Sequence, residues 1–82
     1  MTIDEFNTFS KEVQLDVLLH KGVFLCYRTH RKQYIDLYQI EAFYVEVYYN
    51  QTQDRITKLK SFLSTDALKP YFHLISLTGL FI

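Results

Sequence analysis

The sequence predicts an α+β domain: N-terminal helices, a four-stranded antiparallel meander and a short C-terminal helix, the helices packing together on one sheet face. Three observations carry this reading. Apolar residues near the start recur at three- and four-residue spacing. After Gly22 the period switches to two, and four β-branched and aromatic runs follow with polar stretches between them. Ser64-Thr65-Asp66 then supplies a fresh helix-start signal.

Thr2-Ile3-Asp4-Glu5 has the form of a capping box, in which a hydroxyl and a carboxylate satisfy each other's backbone N–H groups. Ser10 is a second N-cap, so the spacing predicts helices over 3–8 and 11–20, either separate or merged. Phe6, Phe9, Val13, Val17 and Leu18 form one apolar stripe, and Lys21-Gly22 predicts a left-handed glycine end. Val23-Phe24-Leu25-Cys26-Tyr27 is the first strand run, and Tyr34-Ile35-Asp36-Leu37-Tyr38 the second. In the third, Phe43 to Tyr49, Phe43, Val45, Val47 and Tyr49 fall on one face and Tyr44, Glu46 and Tyr48 on the other. Asn50 to Asp54 reads as a polar turn. Arg55 to Phe62 breaks strict alternation, which predicts a bulge or an edge position. Short connections favour hairpins, hence a meander. Ala67 to Leu74 reads as helix, with Pro70 either its first residue or a break between two turns.

The chain has 82 residues, 49% of them hydrophobic and 17% aromatic, with only 2 Gly and 1 Pro. That length suits a single domain over residues 1–82, and the apolar load excludes disordered and low-complexity classes. Nine basic and nine acidic residues balance, which argues against a general polyanion binder. The acidic start lacks the positive charge of a secretory signal, and no apolar run reaches the ~20 residues of a membrane helix. A cytoplasmic protein without a membrane partner is the expectation.

Motifs for chemistry are sparse. Two isolated glycines cannot build a phosphate-cradling loop. Cys26 with His20, His30 or His73 is the one nominal nucleophile set. A thiol in mid-strand reads more simply as a small buried apolar group. The three histidines lack paired metal-ligand spacing, and His20 suits the negative end of its helix. The expectation is therefore no enzyme, no cofactor and no metal.

Two surfaces remain. Arg28, His30, Arg31 and Lys32 form a basic hairpin beside Tyr27 and Tyr34, an arrangement that can grip phosphates and stack bases of single-stranded nucleic acid; the plainer alternative is a solvated loop. Tyr34 and Tyr38 share one strand face, as do Tyr44 and Tyr48. If helices cover Phe43, Val45 and Val47, the opposite face is expected to show Tyr34, Tyr38, Tyr44, Glu46 and Tyr48 together, with Asp36 among them. Phe6, Phe24, Phe43 and Phe62 are assigned to the core. Tyrosine is enriched at interfaces, although cross-strand pairing that stiffens the sheet would also account for it. A protein-interaction or self-associating module using the tyrosine face is the leading expectation. A homodimer through that face, or through the tail Leu77-Leu80-Phe81-Ile82, would hide such surface. Nucleic-acid binding through the basic hairpin is the alternative, and a third is a small-molecule or catalytic site in a pocket between helix and sheet, near Cys26, His20 or His73.

Several phrases are also familiar: Glu5-Phe6-Asn7, Gln14-Leu15, Gly22-Val23-Phe24-Leu25, Leu37-Tyr38-Gln39, Phe43-Tyr44-Val45-Glu46-Val47, Ser61 to Asp66 and Leu68-Lys69-Pro70-Tyr71. Together they resemble a group of short uncharacterised bacterial proteins, mostly from Bacteroidota. The resemblance implies a stand-alone small α+β domain and brings no activity, ligand or site with it.

Overall fold

The structure, a computed structural model, describes residues 1–50, 52 and 55–72. Helices α1 (Ile3–Asn7) and α2 (Lys11–Lys21) precede strands β1 (Val23–His30), β2 (Gln33–Ile40), β3 (Phe43–Asn50) and β4 (Arg55–Phe62). A 3-10 helix (Thr65–Tyr71) follows. The four strands form one antiparallel sheet in the order β1-β2-β3-β4, the expected meander.

Local chemistry explains the helix ends. Thr2 Oγ1 accepts from the Glu5 N–H at 3.1 Å while Glu5 Oε1 accepts from the Thr2 N–H at 2.9 Å, which completes the capping box. Ser10 caps α2 by accepting from the Val13 N–H, and Gln14 Nε2 donates to the Phe6 carbonyl at 3.0 Å to tie the two helices together. Gly22 departs from expectation. Its backbone is extended, with φ −81° and ψ 153°, rather than left-handed. Glycine is needed there for space: a Cβ would stand 2.7 Å from the Leu18 carbonyl oxygen, which accepts the Gly22 N–H at 2.9 Å. The turns carry the positive φ instead, 58° at Arg31 and 51° at Glu41.

The sheet separates two apolar layers. On one side Phe6 and Leu18 pack on Ile40, Phe43, Val45 and Val47, with Leu15 and Val17 partly buried beside them. Val13, placed on the apolar stripe by its spacing, is exposed. On the other side Leu68 and Tyr71 of the 3-10 helix pack on Leu37, flanked by Leu25, Cys26, Tyr44 and Phe62. The C-terminal element thus sits opposite α1 and α2, not on their face as expected, and begins two residues before Ala67, capped by Ser64, which accepts from the Asp66 N–H at 3.1 Å. Pro70 lies within it and lacks an N–H to donate, consistent with a short, tight 3-10 segment. Leu74, included in the expected helix, lies outside the described residues, as does most of the turn after Asn50. Of the four phenylalanines assigned to the core, Phe6 and Phe43 are buried, Phe62 is partly so, and Phe24 is half exposed. Strand β4 is both an edge and bulged, its register slipping between Tyr48 and Tyr49 of β3.

Candidate functional site

The expected tyrosine face is divided by the sheet. Tyr38 pairs with Val45 and Tyr34 with Tyr49, so Tyr34, Asp36 and Tyr38 project on the side of α1 and α2. Tyr44, Glu46 and Tyr48 project on the side of the 3-10 helix. The cause is the two-residue turn Glu41-Ala42, which pairs Ile40 with Phe43 and puts even-numbered residues of β2 opposite odd-numbered residues of β3.

On the 3-10 helix side the sheet encloses a polar cluster. Glu46 is 3% exposed, not at an open surface as its mid-strand position suggested. Its carboxylate accepts from the Tyr71 hydroxyl at 2.6 Å, the Tyr48 hydroxyl at 3.1 Å and Arg28 Nη2 at 3.3 Å. Arg28 also lies over the Tyr71 ring, 5.2 Å from its centroid. Burial and then the hydrogen bond to Glu46 push the Tyr71 phenol far above its ordinary range. Burial opposes the charge on Arg28, but the neighbouring Tyr71 and Glu46 oxygens outweigh it and keep the guanidinium firmly protonated. A carboxylate with three donors is satisfied. These groups serve to hold the 3-10 helix to the sheet.

That cluster alters the basic hairpin. Arg28 is withdrawn from it into the ion pair with Glu46. His30, Arg31 and Lys32 remain exposed at the β1–β2 turn, beside Tyr27 and Tyr34, whose rings stand 6.0 Å apart.

On the α-helix side the aromatic rows continue across strands. Tyr27, Tyr34 and Tyr49 follow one another at centroid spacings of 6.0 and 5.4 Å, and Phe24 meets Tyr38 at 5.7 Å. Between α2 and the sheet lies a pocket of about 440 Å³. Leu15, Leu18 and Leu19 form its helical wall, and Val47 and Ile56 its apolar floor. Asp36, Tyr38 and Tyr49 are its polar members. The Tyr49 hydroxyl donates to Asp36 Oδ1 at 3.3 Å. Burial raises the Asp36 carboxyl above its usual range, only partly offset by that bond. Burial and then the Asp36 charge raise the phenols of Tyr38 and Tyr49 in turn.

Sequence reasoning singled out neither Tyr49 nor Tyr71 for a site. The two-residue turn carried the signal that would have put Tyr49 beside Asp36. No sequence signal linked Tyr71 to Glu46, because a long-range docking contact leaves no local spacing. Cys26 lies partly buried against the Leu37–Leu68–Tyr71 layer, and burial pushes its thiol up, away from the thiolate that a nucleophile needs. His20 sits in the last turn of α2, its Nδ1 2.8 Å from the Asp16 carbonyl. His73 and the tail residues Leu77, Leu80, Phe81 and Ile82 lie outside the described residues. Among the described residues, no three His, Cys, Asp or Glu side chains converge as a metal set, and no helix is long and apolar enough to cross a membrane. No protein-family model, curated protein or solved structure matches the chain.

Proposed function

We propose that the chain is a non-enzymatic interaction module that self-associates through β1. The observation that carries this reading is the contrast between the two sheet edges. Both edge strands carry a bulge, so charge is what distinguishes them: β4 bears exposed Arg55, Lys58 and Lys60, a usual guard against strand-to-strand association. Edge strand β1 presents Val23, Phe24 and Tyr27, each half exposed or more, with no charge from Val23 to Tyr27. Apolar surface grouped at a strand edge that no other strand pairs among the described residues is what a second copy, added antiparallel, would cover. The expected partner face therefore moves from the tyrosine set named by periodicity to the β1 edge, with Tyr34 and Tyr38 behind it.

Light scattering on the protein eluting from a sizing column tests the reading. We expect a dimer at high micromolar concentration. Val23→Lys with Phe24→Ser should return it to a monomer, while Lys58→Ala on β4 leaves the dimer unchanged. A wild-type monomer at that concentration overturns self-association. A lysine placed on an edge strand blocks pairing without touching either core, so a folded circular-dichroism spectrum is expected for the double variant.

A further inference from the structure

We propose that the pocket between α2 and the sheet binds an organic cation, an ammonium or guanidinium head on an apolar stem. Asp36 carries the inference. It lines a cavity, is only partly exposed, and has Tyr49 as its hydrogen-bond donor. Among the described residues no Lys, Arg or His pairs with it. The fold thus keeps a carboxylate half out of water without the counter-charge that Glu46, on the opposite face, receives from Arg28. Desolvating an anion is costly unless something positive arrives.

The surroundings fit the head and the stem separately. Tyr38 and Tyr49 offer aromatic rings beside the carboxylate, and ring faces attract cations, more strongly when water is excluded. Leu15, Leu18 and Leu19 face Val47 and Ile56 across the rest of the cavity and would bury methylene groups at about 0.8 kcal/mol each. Leu18 and Leu19 of this wall lie in the last turn of α2, where the helix dipole also favours positive charge. At about 440 Å³ the pocket lies within the range of small-ligand sites. An anion would meet the Asp36 charge, and a neutral apolar ligand would strip its water and return nothing. A lone carboxylate with two phenols also offers too few oxygen ligands for a hard metal ion. This site is built within one chain, so it stands or falls independently of self-association.

Nuclear magnetic resonance titration of the full chain with hexylammonium, 1-hexanol and hexanoate tests the proposal. We expect shifts at Leu15, Leu19, Asp36 and Ile56, with hexylammonium binding at least tenfold tighter than hexanol and hexanoate weakest. Asp36→Asn keeps the shape and an acceptor for Tyr49, and should abolish the advantage of the cation over hexanol. Asp16→Asn, an exposed carboxylate of α2 outside the pocket, should leave it intact. Equal affinity for hexanol and hexylammonium, or a cation preference that survives Asp36→Asn, overturns the proposal. A parallel titration with the blocked tripeptide Leu-Lys-Leu identifies the source of the cation. Tighter binding than hexylammonium assigns the site to a basic side chain of a protein, and weaker binding to a free amine.

Discussion

At the scale of single residues, Asp36 and Glu46 are carboxylates on neighbouring strands that the fold treats in opposite ways. Glu46 is buried under three donors, whereas Asp36 is partly buried with one. Removing their charges should therefore change stability in opposite directions. Glu46→Gln leaves Arg28 without its counter-charge and Tyr71 or Tyr48 short of an acceptor, at a cost of about 2–3 kcal/mol. Asp36→Asn removes a poorly solvated charge and should stabilise the protein, by less than about 1 kcal/mol because the site is partly open to solvent. The pH dependence has a definite sign. Burial raises the Asp36 carboxyl in the folded state, so the folded form holds its proton longer than the unfolded chain does. The charge then weakens folding at neutral pH, and the penalty disappears as pH falls below the ordinary carboxylate range. Thermal melts should show the advantage of Asp36→Asn over the wild type at pH 7 and its loss near pH 3. An advantage equal at both pH values would mean that the charge is not its origin.

At the scale of elements, most of the secondary structure was legible because its causes are local. The capping box, the Ser10 cap and the change of period at Gly22 each depend on residues within a turn or two, and the structure follows them closely. The face assignment in β2 and β3 failed for a different reason. Alternation was read correctly within each strand, but the parity between strands is set by the length of the turn joining them. Glu41-Ala42 inverts it. The side on which the 3-10 helix docks was not legible either, since Tyr71 meets Glu46 across 25 residues of chain. The turns and caps supply a further prediction. Arg31 stands at φ 58°, a conformation that costs a residue with a Cβ roughly 1 kcal/mol. Arg31→Gly should therefore raise the melting temperature by a few degrees. Gly22→Ala should do the reverse, by about 1–3 kcal/mol, because its Cβ would press on the Leu18 carbonyl that anchors the end of α2. Calorimetry of the two variants checks both signs, and a neutral Gly22→Ala would mean that β1 can shift away from α2 at little cost.

At the scale of the whole molecule, one sheet serves two unequal cores. Phe6, Leu18, Ile40, Phe43, Val45 and Val47 make the larger, under two helices. Among the described residues, Leu37, Leu68 and Tyr71 make the smaller cluster, under the 3-10 helix held by Glu46, with Ile35 and Tyr48 also buried on that face. Elements with fewer buried neighbours open first, at a free energy below that of global unfolding. The 3-10 helix should thus detach from a sheet that stays folded on its other face. Cys26 reports this event, because it is the only cysteine in the chain and packs beside Leu68 and Tyr71. Leu68→Ala deletes buried methyl groups of the smaller core, at about 2–3 kcal/mol. It should speed the reaction of Cys26 with a thiol reagent at least about 30-fold in native buffer. Phe6→Ala damages the larger core, so it should lower global stability as much or more while accelerating labelling only through complete unfolding. In urea well below the midpoint, the Leu68→Ala rate should be nearly independent of denaturant and the Phe6→Ala rate steeply dependent, because the two openings expose different areas. Equal denaturant slopes for both variants would show that the two faces of the sheet unfold as one unit.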